Sequence, residues 1–167
     1  GAEEPRGSAV PGRLLERVGE REQPGVAPAR ADERHPDRQP VDEAGGHAAL
    51  VRTTVAPIRE EPDGTLPLAK IRAAFHDGDF HSPLNGMVAL ENTHAMSMAQ
   101  PLTLEYTRQV ADLAHEHGVP LHVDGARFFN AAVALRERPA DLAGPADSIT
   151  FCLSKGLACP IGSVVVG

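Results

Sequence analysis

Four side chains in the second half of this chain are of types that can do covalent or acid–base chemistry: Lys155, Asp124, Arg127 and His94. Lys155 is one of only two lysines and follows the apolar run Ile149–Leu153, with Ser154 before it and Gly156 after it. An amine held there is expected to be poorly solvated and well placed to bond a carbonyl carbon, the position of a Schiff-base lysine. The plain alternative is a lysine that snorkels out of a loop. Upstream, the apolar run Leu121–Val123 ends on Asp124, Gly125 and Arg127. An aspartate before glycine often only makes a turn, but one followed by Arg127 and then by Lys155 favours a functional carboxylate. Arg127 falls in the first turn of an expected helix, where the helix dipole disfavours a cation; its planar guanidinium suits carboxylates and phosphates. His94 closes a third segment, Glu91-Asn92-Thr93-His94.

These groups need a scaffold, and the pattern of apolar residues supplies one. Val51–Ile58 reads as a β-branched strand, followed by a turn at Glu61–Gly64 and a helix from Pro67 to Phe75. Met87–Leu90 is a short strand that brings Glu91 to His94 to its carboxyl end. The clearest helix follows: Thr103 caps it, Tyr106, Val110, Leu113, Ala114 and His117 share a face, Gly118 ends it and Pro120 blocks its continuation. Leu121–Val123 and Ile149–Leu153 are strands, Phe128–Leu135 is a helix, and the run Ile161–Val166 completes the series. Such alternation implies an α/β fold with a largely parallel sheet, right-handed crossovers and helices on both faces. His94, Asp124 and Lys155 then fall at the carboxyl ends of three successive strands, where open α/β sheets bind ligands.

Composition narrows the function classes. The chain has 167 residues, 41% of them hydrophobic, enough for one ordinary domain with a core. Its net charge of −7 argues against a nucleic-acid partner. No apolar run is long enough to span a membrane and the N-terminus lacks a secretory apolar stretch, so a cytoplasmic protein is expected. Cys152 and Cys159 match no zinc spacing and are expected to be buried structural thiols in a reduced compartment. No metal site is expected. His115 and His117 point to different sides of their helix, and His76–His81 reads as a solvated connector rather than a calcium loop. Arg136-Glu137-Arg138 reads as a surface patch at a helix end. Residues 1–40 hold six prolines and no aromatic, and read as a weakly ordered tail with at most a short helix near Leu14–Val18.

The three ordered motifs ENTH at 91–94, HVDGARFFNAAVAL at 122–135 and FCLSKGLACPIGS at 151–163 resemble the threonine aldolase family of pyridoxal-phosphate (PLP) lyases. That family lies within the aspartate-aminotransferase-like fold. The resemblance covers 42–167 and makes residues 41–167 part of the PLP-binding large domain. It implies that Lys155 carries PLP, that Asp124 keeps the ring nitrogen protonated, and that Arg127 lies near the cofactor and the substrate carboxylate. For His94 it implies a place near the substrate hydroxyl, to position or deprotonate it; a histidine satisfied by backbone is the equally weighted alternative. Ser154 binds the phosphate or only hydrogen-bonds within its turn, and the former is favoured.

The activity implied is reversible cleavage of L-threonine or a related β-hydroxy-α-amino acid to glycine and an aldehyde, by a homo-oligomer (dimer or tetramer). The alternatives are another lyase or racemase of the same fold, or an inactive truncated remnant. The chain departs from the family pattern in three places. Residues 95–100 replace a glycine-containing loop, leaving Ser97 and Gln100 as candidate ligand contacts. No phosphate loop or ring-stacking histidine is matched before Glu43-Ala44-Gly45-Gly46, which suggests that residues 1–40 are translated out of frame or come from a damaged gene. The small C-terminal domain is expected to be absent.

Overall fold

The computed structural model describes residues 46–76, 81 and 83–167. The expected tail over residues 1–40, most of the 43–46 run and positions 77–80 of the histidine-bearing connector lie outside the described residues. In chain order the elements are α1 (Gly46–Val51), α2 (Leu68–Ala73), β1 (Val88–Glu91), α3 (Leu104–Glu116), β2 (Leu121–Asp124), α4 (Phe128–Leu135), α5 (Pro139–Ala143), β3 (Ser148–Cys152) and β4 (Ser163–Val166).

The four strands form one sheet in the order β1-β2-β3-β4. β1, β2 and β3 are parallel neighbours, with Glu91 level with Asp124 and Asp124 level with Thr150. β4 runs antiparallel to β3, pairing Cys152 with Ser163 and Ile149 with Val166. Its sense follows from the connection, because residues 153–162 are too few for the crossover that a parallel strand requires. The sheet is therefore mixed, with the three strands that carry the candidate residues parallel.

One face of the sheet carries the core. Leu90, Leu121, Val123 and Ile149 are buried there with Val110, Leu113, Phe128 and Leu142. Burying apolar area of this kind is the main force that fixes the layers. α3 follows its sequence signals: Thr103 Oγ1 accepts from the Tyr106 N–H at 3.2 Å, and Val110, Leu113 and Ala114 are buried. Tyr106 is half-buried, with its hydroxyl accepting from Leu66 N–H at 2.7 Å and donating to Leu66 O at 2.8 Å. His117 lies beyond the helix and is exposed; it stacks on Phe75 with ring centroids 4.0 Å apart.

The expected strand at Val51–Ile58 is not formed. α1 ends at Val51, and residues 52–60 pair with no described strand. Residues 53–57 are exposed, and of the described residues of the β-branched run only Ile58 packs against the core, so the pattern offers a strand no face to bury. α5 was not anticipated: Pro139 starts it, and Arg138 grips Asp141 through two hydrogen bonds of 2.6 Å. The cysteines also depart from expectation, Cys152 being half-buried and Cys159 exposed. Cys159 sits in the irregular return between β3 and β4, in a stretch, residues 154–161, that is exposed. No helix among the described residues is long and apolar enough to cross a membrane.

Candidate active site

Asp124 ends β2, and its position depends on the glycine after it. Gly125 N–H donates to Thr150 O at 2.7 Å, and Phe128 N–H donates to Gly125 O at 2.7 Å, tying the strand end to both β3 and α4. A Cβ at Gly125 would stand 2.8 Å from Thr150 O and 2.8 Å from Phe128 Cβ, so only glycine allows this approach without displacement. Asp124 Oδ1 accepts from Ala126 N–H at 3.2 Å, its only side-chain hydrogen bond among the described residues. Beneath it on the same face of β2, His122 joins Ser148 Oγ at 2.8 Å and Thr150 Oγ1 at 3.3 Å, which braces β2 against β3.

Arg127 is the N-cap of α4 and is exposed. Ser154 and Lys155 are exposed in the turn after β3, where Ala158 N–H donates to Lys155 O at 3.0 Å. The expectation of a poorly solvated lysine is therefore not met among the described residues. The strand ends at Cys152, and the turn carries the amine outward past the sheet edge. Gly156 in that turn packs against the Asn130 side chain of α4 so closely that a Cβ there would overlap it.

His94 lies just past β1, in a loop closed by its own N–H to Gln100 O at 3.2 Å. Ser97 N–H donates to His94 Nδ1 at 3.2 Å, and Ser97 Oγ lies 3.0 Å from the same nitrogen. The expected contact residues Ser97 and Gln100 thus hold the histidine. The turn at Glu61–Gly64 braces this loop from the other side. Gly64, at φ 84°, is buried, and a Cβ there would stand 2.7 Å from Ser97 Oγ and 3.0 Å from His94 Cβ.

Glu91 is the functional group that reading by residue type passed over. Its Oε2 lies 3.8 Å from His94 Nε2, with the two side chains only 18% and 16% exposed, and its Oε1 accepts from Ala95 N–H at 3.3 Å. Burial pushes the Glu91 carboxyl above the usual carboxylate range and neighbouring Asp124 adds to this, while His94, the Ala95 N–H and Arg127 oppose it. Glu91 therefore senses His94, Asp124 and Arg127 together. The signal was present as the first residue of ENTH, at the carboxyl end of β1. Among the described residues, no hydrogen bond or ion pair joins Lys155 or Ser154 to these four. A cleft of about 490 Å³ between Arg59, Glu61, Lys70, Met96 and Ser97 opens beside the His94 loop. Asp124 and Lys155 do not line it, so the candidate residues stand along an open sheet edge.

The donor set can be tested against an aromatic aldehyde phosphate such as PLP. Asp124 keeps one carboxylate oxygen without a partner among the described residues, as a ring N–H would require. Lys155 offers an amine free of hydrogen bonds and ion pairs among those residues, and Ser154 offers a hydroxyl beside it. Asp124 and the Lys155 turn follow neighbouring parallel strands. The residues present fit the group.

The chain is similar to known proteins over about three quarters of its length. The sequence pattern described as Beta-eliminating lyase matches residues 35–167. The low-specificity L-threonine aldolase 1 of Arabidopsis thaliana is 45% identical over 129 residues, covering 76% of this chain and 36% of that protein. The low specificity L-threonine aldolase of Escherichia coli is 42% identical over 125 residues, covering 75% of this chain and 37% of that one. The chain thus spans 36–37% of the length of these curated relatives. Among solved structures, a Leishmania major threonine aldolase aligns with a TM-score of 0.59 at 25% identity, over 74% of this chain and 36% of that one.

Proposed function

The chain belongs to the beta-eliminating lyase family, whose members depend on PLP, and on that premise we propose that it cleaves L-threonine or related β-hydroxy-α-amino acids to glycine and an aldehyde. The observation that carries this reading is the succession of His94, Asp124 and Lys155 at or just past the carboxyl ends of three adjacent parallel strands. Open α/β sheets bind their ligands there.

Bound PLP supplies an electron sink for the carbon–carbon bond that breaks. Lys155 binds the cofactor's carbonyl carbon through its amine. Asp124 holds a proton at the ring nitrogen, where a carboxylate favours the charged form. The Ser154 hydroxyl binds the phosphate. Arg127 binds the substrate carboxylate, for which a guanidinium offers two parallel donors, and His94 stands at the substrate hydroxyl. In this reading residues 41–167 form part of a PLP-binding large domain, and the protein works as a homo-oligomer, a dimer or tetramer.

The test is to load the purified chain with PLP, reduce it with borohydride and map the labelled peptide. Stoichiometric label on Lys155 that disappears in Lys155→Ala is the expected result. Equal label on Lys70, or none, sinks the assignment. Product analysis then separates the reaction classes: glycine and acetaldehyde from L-threonine support the proposal. Ammonia with a keto acid, or epimerised threonine, would instead mark another lyase or a racemase.

A further inference from the structure

His94 presents a donor, not an acceptor, to the site. The Ser97 backbone N–H that points at His94 Nδ1, 3.2 Å away, can only donate, whereas Ser97 Oγ, 3.0 Å from the same nitrogen, can donate or accept, so a lone pair on Nδ1 suits both contacts. Neutral His94 is therefore protonated at Nε2, the nitrogen that faces Glu91. To accept a proton there, the ring would have to change tautomer and break its bond to the loop. The gap between Nε2 and Glu91 Oε2 is 3.8 Å, too long for a direct hydrogen bond and close to the span that one bridging oxygen fills. One group on that edge accepts and the other donates.

We propose that Glu91 and His94 clamp a single hydroxyl oxygen, that Glu91 is the catalytic base for it, and that His94 holds the oxygen through Nε2–H. This rests on the aldolase reading above. The O–H bond of the substrate's β-hydroxyl breaks and its proton passes to Glu91 Oε2. The oxygen's electron pair forms the aldehyde double bond. The pair of the broken α–β carbon bond stays with the glycine portion, which takes up a proton as the product completes, while Glu91 returns its proton to solvent. The surroundings suit a base: the Ala95 N–H fixes one carboxylate oxygen and leaves the other toward His94. The titratable and charged groups that act on Glu91 are His94 from its own loop, Asp124 from β2 and Arg127 from the start of α4. Burial, with Asp124, outweighs the groups that oppose it and raises the carboxyl's proton affinity, which strengthens a base.

The first test needs neither cofactor nor turnover. Nitrogen-15 NMR of the histidine-labelled chain at neutral pH should show His94 with a bare Nδ1 and a protonated Nε2. Glu91→Gln should shift the Nε2 signal and leave Nδ1 unchanged, with the other histidine signals reporting that the fold is intact. A proton on Nδ1, or an Nε2 signal indifferent to Glu91→Gln, overturns the clamp. The second test is threonine cleavage by the PLP-loaded chain. Glu91→Gln should lower kcat by about 100-fold or more and remove the acidic limb of the kcat–pH profile, with partial recovery in Glu91→Asp. Retention of both kcat and the acidic limb in Glu91→Gln overturns Glu91 as base. If the wild-type chain cleaves nothing, the aldolase reading falls on that result, Glu91's role as base falls with it, and the clamp is judged by the NMR arm.

Discussion

Replacing Gly125 and Gly156 by alanine sets contact distance against contact partner. The alanine Cβ at position 156 would come closer to its neighbour than the one at 125, yet the structure makes position 125 the costly one. At Gly125 the obstacles are the Thr150 carbonyl oxygen at 2.8 Å, Phe128 Cβ at 2.8 Å and Ile149 Cδ1 at 3.1 Å. Backbone and buried core atoms cannot step aside, and overpacking of this kind costs about 1–3 kcal/mol. Displacing Thr150 O also weakens the 2.7 Å bond it accepts from Gly125 N–H, worth about 1 kcal/mol. The sum is about 2–4 kcal/mol. With a urea slope of about 2 kcal/mol/M, the unfolding midpoint should fall by about 1–2 M. At Gly156 the obstacle is the amide of the exposed Asn130. Turning that side chain aside costs about 0.5–1.5 kcal/mol, and alanine recovers about 0.4–1 kcal/mol by restricting the unfolded chain. The net change should stay within about 1 kcal/mol. Urea titrations followed by far-ultraviolet circular dichroism suit a chain without tryptophan. A larger loss from Gly156→Ala than from Gly125→Ala refutes the reasoning.

Two further expectations follow from the packing. Tyr106 is the only tyrosine, and burial pushes its hydroxyl up to about 12, so its absorbance change should come late in an alkaline titration. Because the folded value lies above the unfolded one, near 10, its contribution is fully present below about pH 10 and is lost as pH rises toward 12. Tyr106→Phe should remove that loss and cost about 1–3 kcal/mol at neutral pH by stranding the Leu66 N–H and C=O. Asp147 joins His115 at 2.8 Å and accepts the Leu121 N–H at 2.7 Å, and these bonds hold its carboxyl below the usual range. Its stabilising effect is present above the unfolded carboxylate value and disappears as pH falls through the folded one. Thermal melts of Asp147→Asn should accordingly differ most from wild type near neutrality and converge with it in acid.

Local signals in the sequence placed most elements correctly. Thr103 before an apolar stripe, Gly118 and Pro120 after it, and the compact run Phe128–Leu135 each define an element through contacts within a few residues. The order of chemical groups along the chain was equally legible, since strand ends at Glu91, Asp124 and Cys152 fix where His94, Asp124 and Lys155 fall. Tertiary structure alone decided the rest. Val51–Ile58 has a strand's composition but no partner strand among the described residues, and a ladder bond needs a second backbone. β4 turned antiparallel because of the length of its return. Lys155 is exposed because the turn carries it beyond the layers that bury β3. The contacts of His94 with Ser97 and its approach to Glu91 arise where the loop folds Ser97 back onto the ring, an arrangement of atoms in space that residue types in sequence do not encode.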